Sequence, residues 1–511
     1  MTETRPSRSP GKPPIPLHPF FLAVAPLWAM YASNVDSVRF ESFLRLAAWL
    51  LAFTAAVFLI LRPLLPDPVR RGFAVYVLLW PAHGYDTLYQ ALQFAPGVWR
   101  HVLALGVLAV VLALATRALR RMRVGLDVLT VFLNVTLGVL LILDGVRAVG
   151  RSSVYLRGEW HKPAEEITRQ ALNGQLQVPA RPPDIYYIIL DGYARADVLG
   201  EMYQYDNSDF IRRLTDKGFY IPSEGRTNYP FTYLSLASSL NGSYLDALQA
   251  TAEDGALDYR VLNQLIDDNG AAWQLRQAGY AYVFIASDFE GTWSSSTADL
   301  CACDQYGFGQ LETRWANRTP LALWPDAFRW LYDPFGAHRR KLDSQLAALS
   351  ALPEAGQPRF VFAHLMAPHL PFVFGPDGEP VQQTLGYSLN DRDHPSRALY
   401  IEGYRAQLRY VNARIEEVVD EILAQSSTPP IIILQADHGP NLPPSPYPYE
   451  YSKERYSIFA AYYLPGEGAG MMYPTVTPIN TFRMLFNAYF GAHLELLPDV
   501  SYSSLEAQVY P

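Results

Sequence analysis

The chain is poor in positive charge and in cysteine, and both shortages limit what it can do. Its 41 lysines and arginines are outnumbered by 49 acidic residues, which gives a formal net charge of −8. Nucleic-acid binders usually present a broad basic surface, so nucleic acid is not an expected partner. Charged residues make up only 18% of the chain and hydrophobic residues 50%. This composition predicts a very apolar part joined to an ordinary soluble part.

The two cysteines, Cys301 and Cys303, form a C-x-C pair. In an extended strand, such a pair points to one face of the strand without the geometry that a disulfide prefers. The pair is therefore not expected to be a disulfide, and it says little about the redox compartment. The alternative is that both cysteines bind a metal, although a zinc site usually needs four ligands with wider spacing.

The first 150 residues contain apolar stretches long enough to cross a bilayer, which requires roughly 20 residues per helix. Five candidate spans are separated by short polar or arginine-bearing breaks: Phe20–Val35, Leu46–Leu65, Phe73–Leu92, Val102–Ala118 and Leu126–Ala148. We therefore predict a cytoplasmic tail (1–18), a bundle of about five transmembrane helices (19–148) and a connector (149–182), followed by a soluble domain (183–511).

The orientation of these spans follows from the positions of the arginines, because positive residues are retained on the cytoplasmic side. The N-terminal tail, the second break and the fourth break carry most of them. This alternation favours a multi-pass protein of the cell membrane with a cytoplasmic N-terminus. After an odd number of spans, the C-terminal domain would be extracytoplasmic.

In the soluble half, short β-branched runs alternate with helical segments, which predicts an α/β domain with a mainly parallel sheet between helices. The predicted strands are Ile185–Leu190, Tyr282–Ala286, Phe360–Ala363, Ile431–Gln435 and Ser457–Tyr463. The predicted helices are Asp209–Lys217, Ala271–Ala278, Tyr404–Ala424 and Asn480–Tyr489.

Metal-ligand residue types follow three of these strands, at the sheet edge where active sites of such folds gather. Asp191 follows the first strand, His364 the third, and Asp437 with His438 the fourth. A single aspartate after a strand is usually a helix cap or turn residue. Because all three strands end in this way, the pattern favours a metal site, and carboxylates with one imidazole suit zinc, manganese or magnesium.

A hydroxyl-rich segment lies between these ligands, from Asn228 to Gly242. Thr232 stands where a loop is predicted to become a helix, so its oxygen would lie near the positive end of the helix dipole. Metal coordination can activate such a weak nucleophile. The alternative is that Thr232 only caps the helix.

This order of motifs resembles the alkaline phosphatase superfamily, in particular its sulfatase-like transferases. The resemblance covers residues 183–491 and depends mainly on Asp191-Gly192, Thr232 and Asp437-His438-Gly439. Five spans followed by an outer catalytic domain are similar to lipoteichoic acid synthases and lipid A phosphoethanolamine transferases. The resemblance implies one divalent cation, zinc, manganese or magnesium, held by Asp191, Thr232, Asp437 and His438.

The segment from His364 to Phe372 resembles a sulfatase-like stretch, His-x-x-x-Pro-His-x-Pro-Phe. In the family the later histidine faces the anionic substrate, which makes His369 the candidate for binding the phosphoryl group or protonating the leaving oxygen. His364 is a candidate for a second substrate or metal contact. For each histidine the alternative is a buried, hydrogen-bonded core residue.

Two departures from the family narrow the predicted activity. Sulfatases convert a Cys or Ser that precedes an Arg into formylglycine, whereas this chain has Thr232 and, in place of the arginine, Leu236. Ligands for a second metal are not evident. The resemblance therefore implies phosphoryl transfer or phosphodiester cleavage on a phospholipid or lipid-linked substrate. The alternatives are sulfuric ester hydrolysis and a catalytically silent binding module.

Overall fold

The computed structural model describes most of the chain. The described residues are 13–35, 38–92, 94–95, 97–121, 125–157, 161–251, 259–304, 310–317, 319, 333–352, 356–381, 396–442, 453–466, 468–503 and 508–510. They divide into two compact units. The first lies within Met1–Leu156 and Gly309–Tyr332, and the second within Arg157–Phe308 and Asp333–Pro511.

The first unit is helical. Its helices are α1 His18–Ser33, α2 Phe40–Ile60, α3 Pro68–Ala91, α4 Gly97–Arg121, α5 Leu126–Arg157 and, much later in the chain, α12 Gln310–Asn317. Helix α1 packs on α2 and α3, and α3 packs on α4. The short α12 packs on α2, where Arg45 Nε donates to Glu312 Oε1 at 2.8 Å.

Two described helices are long and apolar enough to cross a membrane, Phe40–Ile60 with 21 residues and Leu126–Ser153 with 28. Only 22% and 17% of their apolar windows are buried. Core helices of soluble proteins are mostly buried, whereas large side chains such as Trp49, Phe53 and Ile142 are exposed here. Each predicted span overlaps a helix, although Leu46–Leu65 runs past the end of α2 at Ile60. The helices at the other three spans are shorter or less apolar, so the described residues support two spans rather than five.

The second unit is an α/β domain. Its helices are α6 His161–Gln170, α7 Ala196–Tyr203, α8 Ser208–Asp216, α9 Thr232–Asn241, α10 Tyr259–Asp267, α11 Gly270–Gln277, α13 Pro334–Ser350, α14 Arg397–Gln425 and α15 Thr481–Phe490. Its strands are β1 Ile185–Leu190, β2 Phe219–Tyr220, β3 Ala281–Ile285, β4 Leu300–Ala302, β5 Arg359–Leu365, β6 Ile431–Gln435, β7 Ala460–Tyr463, β8 Ser501–Tyr502 and β9 Gln508–Tyr510.

Within the described residues, seven strands form one sheet in the order β2-β7-β6-β1-β5-β3-β4. The five from β6 to β4 run parallel, and β7 and β2 add antiparallel pairs at one side. The prediction of an α/β domain with a mainly parallel sheet is therefore confirmed, although the whole sheet is mixed. The short β8 and β9 pair separately.

The central strand β1 is buried along its whole length because helices cover both faces of the sheet. Ile188 lies in the same core cluster as Tyr404 and Leu408 of α14. On the opposite face, Tyr187 packs edge-on against Phe482 of α15, with ring centroids 5.1 Å apart. The alternation of side chains along the strand thus supplies both layers of the core.

The expectation that Cys301 and Cys303 are unpaired was wrong, because the structure joins them in a disulfide. Strand β4 ends at Ala302, so the chain leaves the extended conformation between the two cysteines. Their Cα atoms lie 5.2 Å apart, closer than the roughly 6.6 Å between alternate residues of a strand. The disulfide also rules out the pair as thiolate metal ligands.

Candidate metal centre

The sheet brings two predicted ligands to the same edge. Asp191 directly follows β1, and Asp437 lies two residues beyond the end of β6, its hydrogen-bonded parallel neighbour. Gly192 has a φ of +71° and turns the chain sharply after Asp191. Its backbone N–H then donates to Asp437 Oδ1 at 3.3 Å, which ties the two strand ends together.

Four predicted side chains converge at this edge. Asp191, Asp437 and His438 each offer a ligand atom within 4.8 Å of the others, and all three residues are buried. His438 Nε2 lies 3.3 Å from Asp437 Oδ2 and 3.7 Å from Asp191 Oδ1. The same nitrogen lies 3.0 Å from Thr232 Oγ1. Two carboxylates and one imidazole therefore face one another, and the hydroxyl lies beside the imidazole.

The orientation of His438 is fixed from the backbone. Its Nδ1 lies 2.9 Å from the carbonyl oxygen of Gly439, which can only accept a hydrogen bond, so Nδ1 carries the proton. In the neutral ring, Nε2 then presents a lone pair toward the two aspartates. This tautomer is the one that a metal-binding histidine needs.

Two buried oxygens in this cluster, Asp191 Oδ1 and Asp437 Oδ2, have no hydrogen-bond partner among the described residues. Unpaired buried carboxylate oxygens are costly unless a cation or proton compensates them. Burial opposes ionisation of Asp191, but His369, His364 and His438 outweigh it and lower the pKa of this carboxyl to about 2. Two buried carboxyl groups with one imidazole fit a zinc, manganese or magnesium ion.

Thr232 is the first residue of α9, and the N-cap is Phe231. The alternative that Thr232 merely caps the helix is not observed, since α9 has no side-chain cap and the hydroxyl lies beside His438. The position places Oγ1 at the positive end of the helix dipole, where a negatively charged oxygen is stabilised.

His364 lies behind Asp191. It is fully buried, with Nε2 3.1 Å from Asp191 Oδ2 and Nδ1 2.9 Å from Thr292 Oγ1. Thr292 in turn lies 2.6 Å from Ser287 Oγ. Because a carboxylate only accepts, His364 donates to Asp191, which leaves Asp191 Oδ1 directed at the centre. This geometry favours the buried alternative for His364 over a substrate contact.

His369 lies on the other side of Asp191. Its backbone N–H donates to Asp191 O at 3.0 Å, and its ring centroid lies 6.2 Å from that of His438. Nδ1 donates to Leu370 O at 2.6 Å, so Nε2 carries a proton only when the ring is charged. His369 is 5% exposed, at the border of the centre rather than within the ligand cluster.

Two supporting hydroxyls were missed by sequence reasoning. Thr227 Oγ1 and Ser235 Oγ donate to the backbone oxygen of Asp437 at 2.6 and 2.7 Å. They hold the nucleophile segment against the ligand loop. Contacts with a backbone oxygen leave no pattern in residue types, so only the folded structure reveals them.

A family model described as Sulfatase matches residues 183–470. Among solved structures, the C-terminal periplasmic domain of EcEptC from Escherichia coli, in complex with Zn, is 11% identical with a TM-score of 0.41, covering 66% of this chain and 95% of that one. Phosphonate monoester hydrolase of Agrobacterium radiobacter is 14% identical with a TM-score of 0.40, covering 63% and 80%.

The integral membrane lipooligosaccharide phosphoethanolamine transferase A (EptA) from Neisseria meningitidis is 11% identical with a TM-score of 0.39, covering 92% of this chain and 95% of that one. No curated protein matches the chain in sequence. The family model spans more than half of the chain and confirms the resemblance in its motifs: the chain belongs to the sulfatase family.

Proposed function

We propose that this protein is a metal-dependent phosphoryl-group transferase or phosphodiesterase with Thr232 as its nucleophile. The observation that carries the proposal is the position of Thr232 Oγ1, 3.0 Å from His438 Nε2 at the N-terminus of α9. The two unpaired carboxylate oxygens supply the negative ligands that such a centre requires.

Asp191, Asp437, His438 and Thr232 would hold the metal ion. A bound divalent cation would neutralise charge on the threonine oxygen and on the substrate phosphate. Thr232 Oγ, as the alkoxide left when its hydroxyl proton has passed to solvent, attacks phosphorus, and the bond from phosphorus to the leaving oxygen breaks as the Oγ–P bond forms. His369, with both ring nitrogens protonated, gives its Nε2 proton to that leaving oxygen and keeps the Nδ1 proton on Leu370 O. An acceptor hydroxyl or water then attacks phosphorus as its proton passes to His369 Nε2, and the Oγ–P bond breaks to return the Thr232 alkoxide.

The substrate we propose is a phospholipid or lipid-linked phosphate at the outer face of the cell membrane. The exposed apolar surfaces of α2 and α5 support membrane insertion. The arginine distribution supports a five-span arrangement with the domain of residues 183–511 outside. The Cys301–Cys303 disulfide supports an oxidising, extracytoplasmic location for that domain.

Sulfate ester hydrolysis is the enzymatic alternative. Sulfatases make formylglycine from a cysteine or a serine. The nucleophile position here is Thr232, which disfavours sulfate ester hydrolysis through formylglycine. A silent binding module is the other alternative. It gives no reason to maintain two unpaired buried carboxylate oxygens beside a hydroxyl, an arrangement that costs stability without a ligand.

Turnover of matched synthetic esters distinguishes these possibilities. The purified full-length protein with zinc, manganese or magnesium is expected to release nitrophenol from bis(p-nitrophenyl) phosphate at least about tenfold faster than from p-nitrophenyl sulfate. Both rates should fall to background after chelation. Faster release from the sulfate ester would favour the sulfatase alternative, and metal-independent or absent release from both would favour the silent module.

A substitution of His364 tests whether its hydrogen bond orients Asp191 for metal binding. His364→Leu removes the hydrogen bond to Asp191 Oδ2, and we expect metal affinity to fall about 10- to 100-fold. His364→Gln can restore a donor and should recover part of that loss. Isothermal titration with zinc measures both variants. Wild-type affinity in the leucine variant would show that His364 does not orient Asp191.

A further inference from the structure

Arg455 is a buried cation between two loops of the centre. Its side chain is among the largest in the domain to be fully buried, with 1% of the residue exposed. Nε donates to Pro230 O at 2.6 Å and Nη1 donates to Gly439 O at 2.9 Å. One planar guanidinium therefore bridges two backbone carbonyls from distant parts of the sequence.

Each carbonyl lies next to a residue of the proposed chemistry. Pro230 is two residues before Thr232, and Gly439 directly follows His438. Gly439 O also accepts from His438 Nδ1, so Arg455 and the histidine share one acceptor. The backbone reinforces the contact, since Gly439 N–H donates to Arg455 O at 2.8 Å.

The backbone segments around Gly439 and Arg455 approach so closely that a side chain at position 439 is excluded. A Cβ atom there would collide with the backbone oxygen of Glu454, the neighbour of Arg455. The loop bearing His438 therefore rests directly on the backbone that carries Arg455. A rigid spacing of this kind sets the distance between the Thr232 hydroxyl and the histidine ring.

We infer that Arg455 is a positioning residue, which fixes the separation of Thr232 and His438 by donating to the carbonyls beside each. The inference rests on the proposed function, because it assigns Arg455 to the attack by Thr232. Both hydrogen bonds are needed for this role. A lysine ammonium at this position lacks the planar fork that reaches both carbonyls.

Arg483 provides a matched control. It is 8% exposed and donates to the carbonyl oxygens of Gly242, Glu495 and Ala171 at 2.8, 2.7 and 3.0 Å. Gly242 caps the opposite end of α9, about 15 Å from Thr232 along the helix axis. Arg483 is thus also a buried arginine that bridges backbone carbonyls. Its three acceptors, however, are not the carbonyls beside Thr232 and His438.

Full-length Arg455→Lys, Arg455→Met and Arg483→Lys proteins are compared with wild type on bis(p-nitrophenyl) phosphate, below the unfolding midpoint of each. We expect kcat of both Arg455 variants to fall about 10- to 100-fold, with KM within about threefold and zinc still bound at the wild-type ratio. Arg483→Lys is expected to keep kcat within about twofold after correction for folded protein.

The outcomes separate this inference from the proposed function. Wild-type turnover that depends on Thr232 but is unchanged in folded Arg455→Lys would overturn the inference alone. Equal losses of kcat in Arg455→Lys and Arg483→Lys, in proportion to the folded fraction of each protein, would also overturn it. Such losses would show that a buried arginine acts only through overall stability. Wild-type protein without Thr232-dependent turnover would overturn the proposed function and this inference with it. If Arg455→Met does not fold, the lysine variant decides.

Discussion

Replacing Thr232 by alanine is expected to lower phosphoryl transfer at least about a thousandfold, because the covalent step loses its nucleophile. The side chain is only partly buried and caps no helix, so folding should change little. Both aspartates and His438 remain, so the variant should still bind metal. Steady-state rates on bis(p-nitrophenyl) phosphate, with metal content and the unfolding midpoint measured on the same preparation, check this result.

Ser235 is the matched control for Thr232. It lies on the same helix, but it is buried and its hydroxyl donates to Asp437 O, whereas the Thr232 hydroxyl lies beside His438. Ser235→Ala removes about one hydrogen bond's worth of stability, roughly 1 kcal/mol, and should keep turnover within about tenfold of wild type. Thr232→Ser retains a hydroxyl and should retain transfer. A Thr232→Ala protein as active as wild type would exclude the mechanism.

Asp437→Asn is expected to abolish metal binding while leaving the metal-free protein at least as stable as wild type. Asparagine preserves the acceptor for Gly192 N–H but replaces the ligand oxygen with an amide nitrogen that carries protons. Without metal, the substitution also removes one of two buried carboxylates that repel each other. Turnover should fall with the metal.

Thermal unfolding with zinc and with chelator measures this effect. Metal at about 100 times its dissociation constant should stabilise wild type by about 2.7 kcal/mol and should not stabilise Asp437→Asn. Asp499→Asn is the control, since Asp499 accepts from Thr477 and Asn480 instead of facing the centre. It should lose stability yet keep the full metal shift. A full zinc shift in Asp437→Asn would remove Asp437 from the ligand set.

Residue types along the chain predicted the central strands well. Ile185–Leu190 and Ile431–Gln435 have the predicted bounds because nearly continuous apolar runs are typical of strands buried on both faces. The edge strands β2 and β4 have only two and three residues, too few to form a recognisable pattern in the sequence. The disulfide was missed because its geometry depends on where β4 ends.

The candidate site was predictable as far as strand topology determined it. Asp191 and Asp437 follow strands that proved to be neighbours, so one sheet edge brings them together. The role of His364 was not predictable, because its partner Thr292 comes from a short 3-10 helix after β3. Arg455 left no signal either, since its Nε and Nη1 donate to backbone oxygens.

The most direct test of Thr232 as the nucleophile is peptide mapping by mass spectrometry after acid quench. The metal-loaded protein is mixed with vesicles of phosphatidylethanolamine and phosphatidylglycerol, or with bis(p-nitrophenyl) phosphate, and quenched during turnover. We predict that the peptide containing Asn228–Gly242 gains a phosphoryl or phosphodiester group on Thr232 and that Thr232→Ala protein gains none. A label on Ser235 or another residue, or continued turnover with no label on Thr232, would contradict the proposed mechanism.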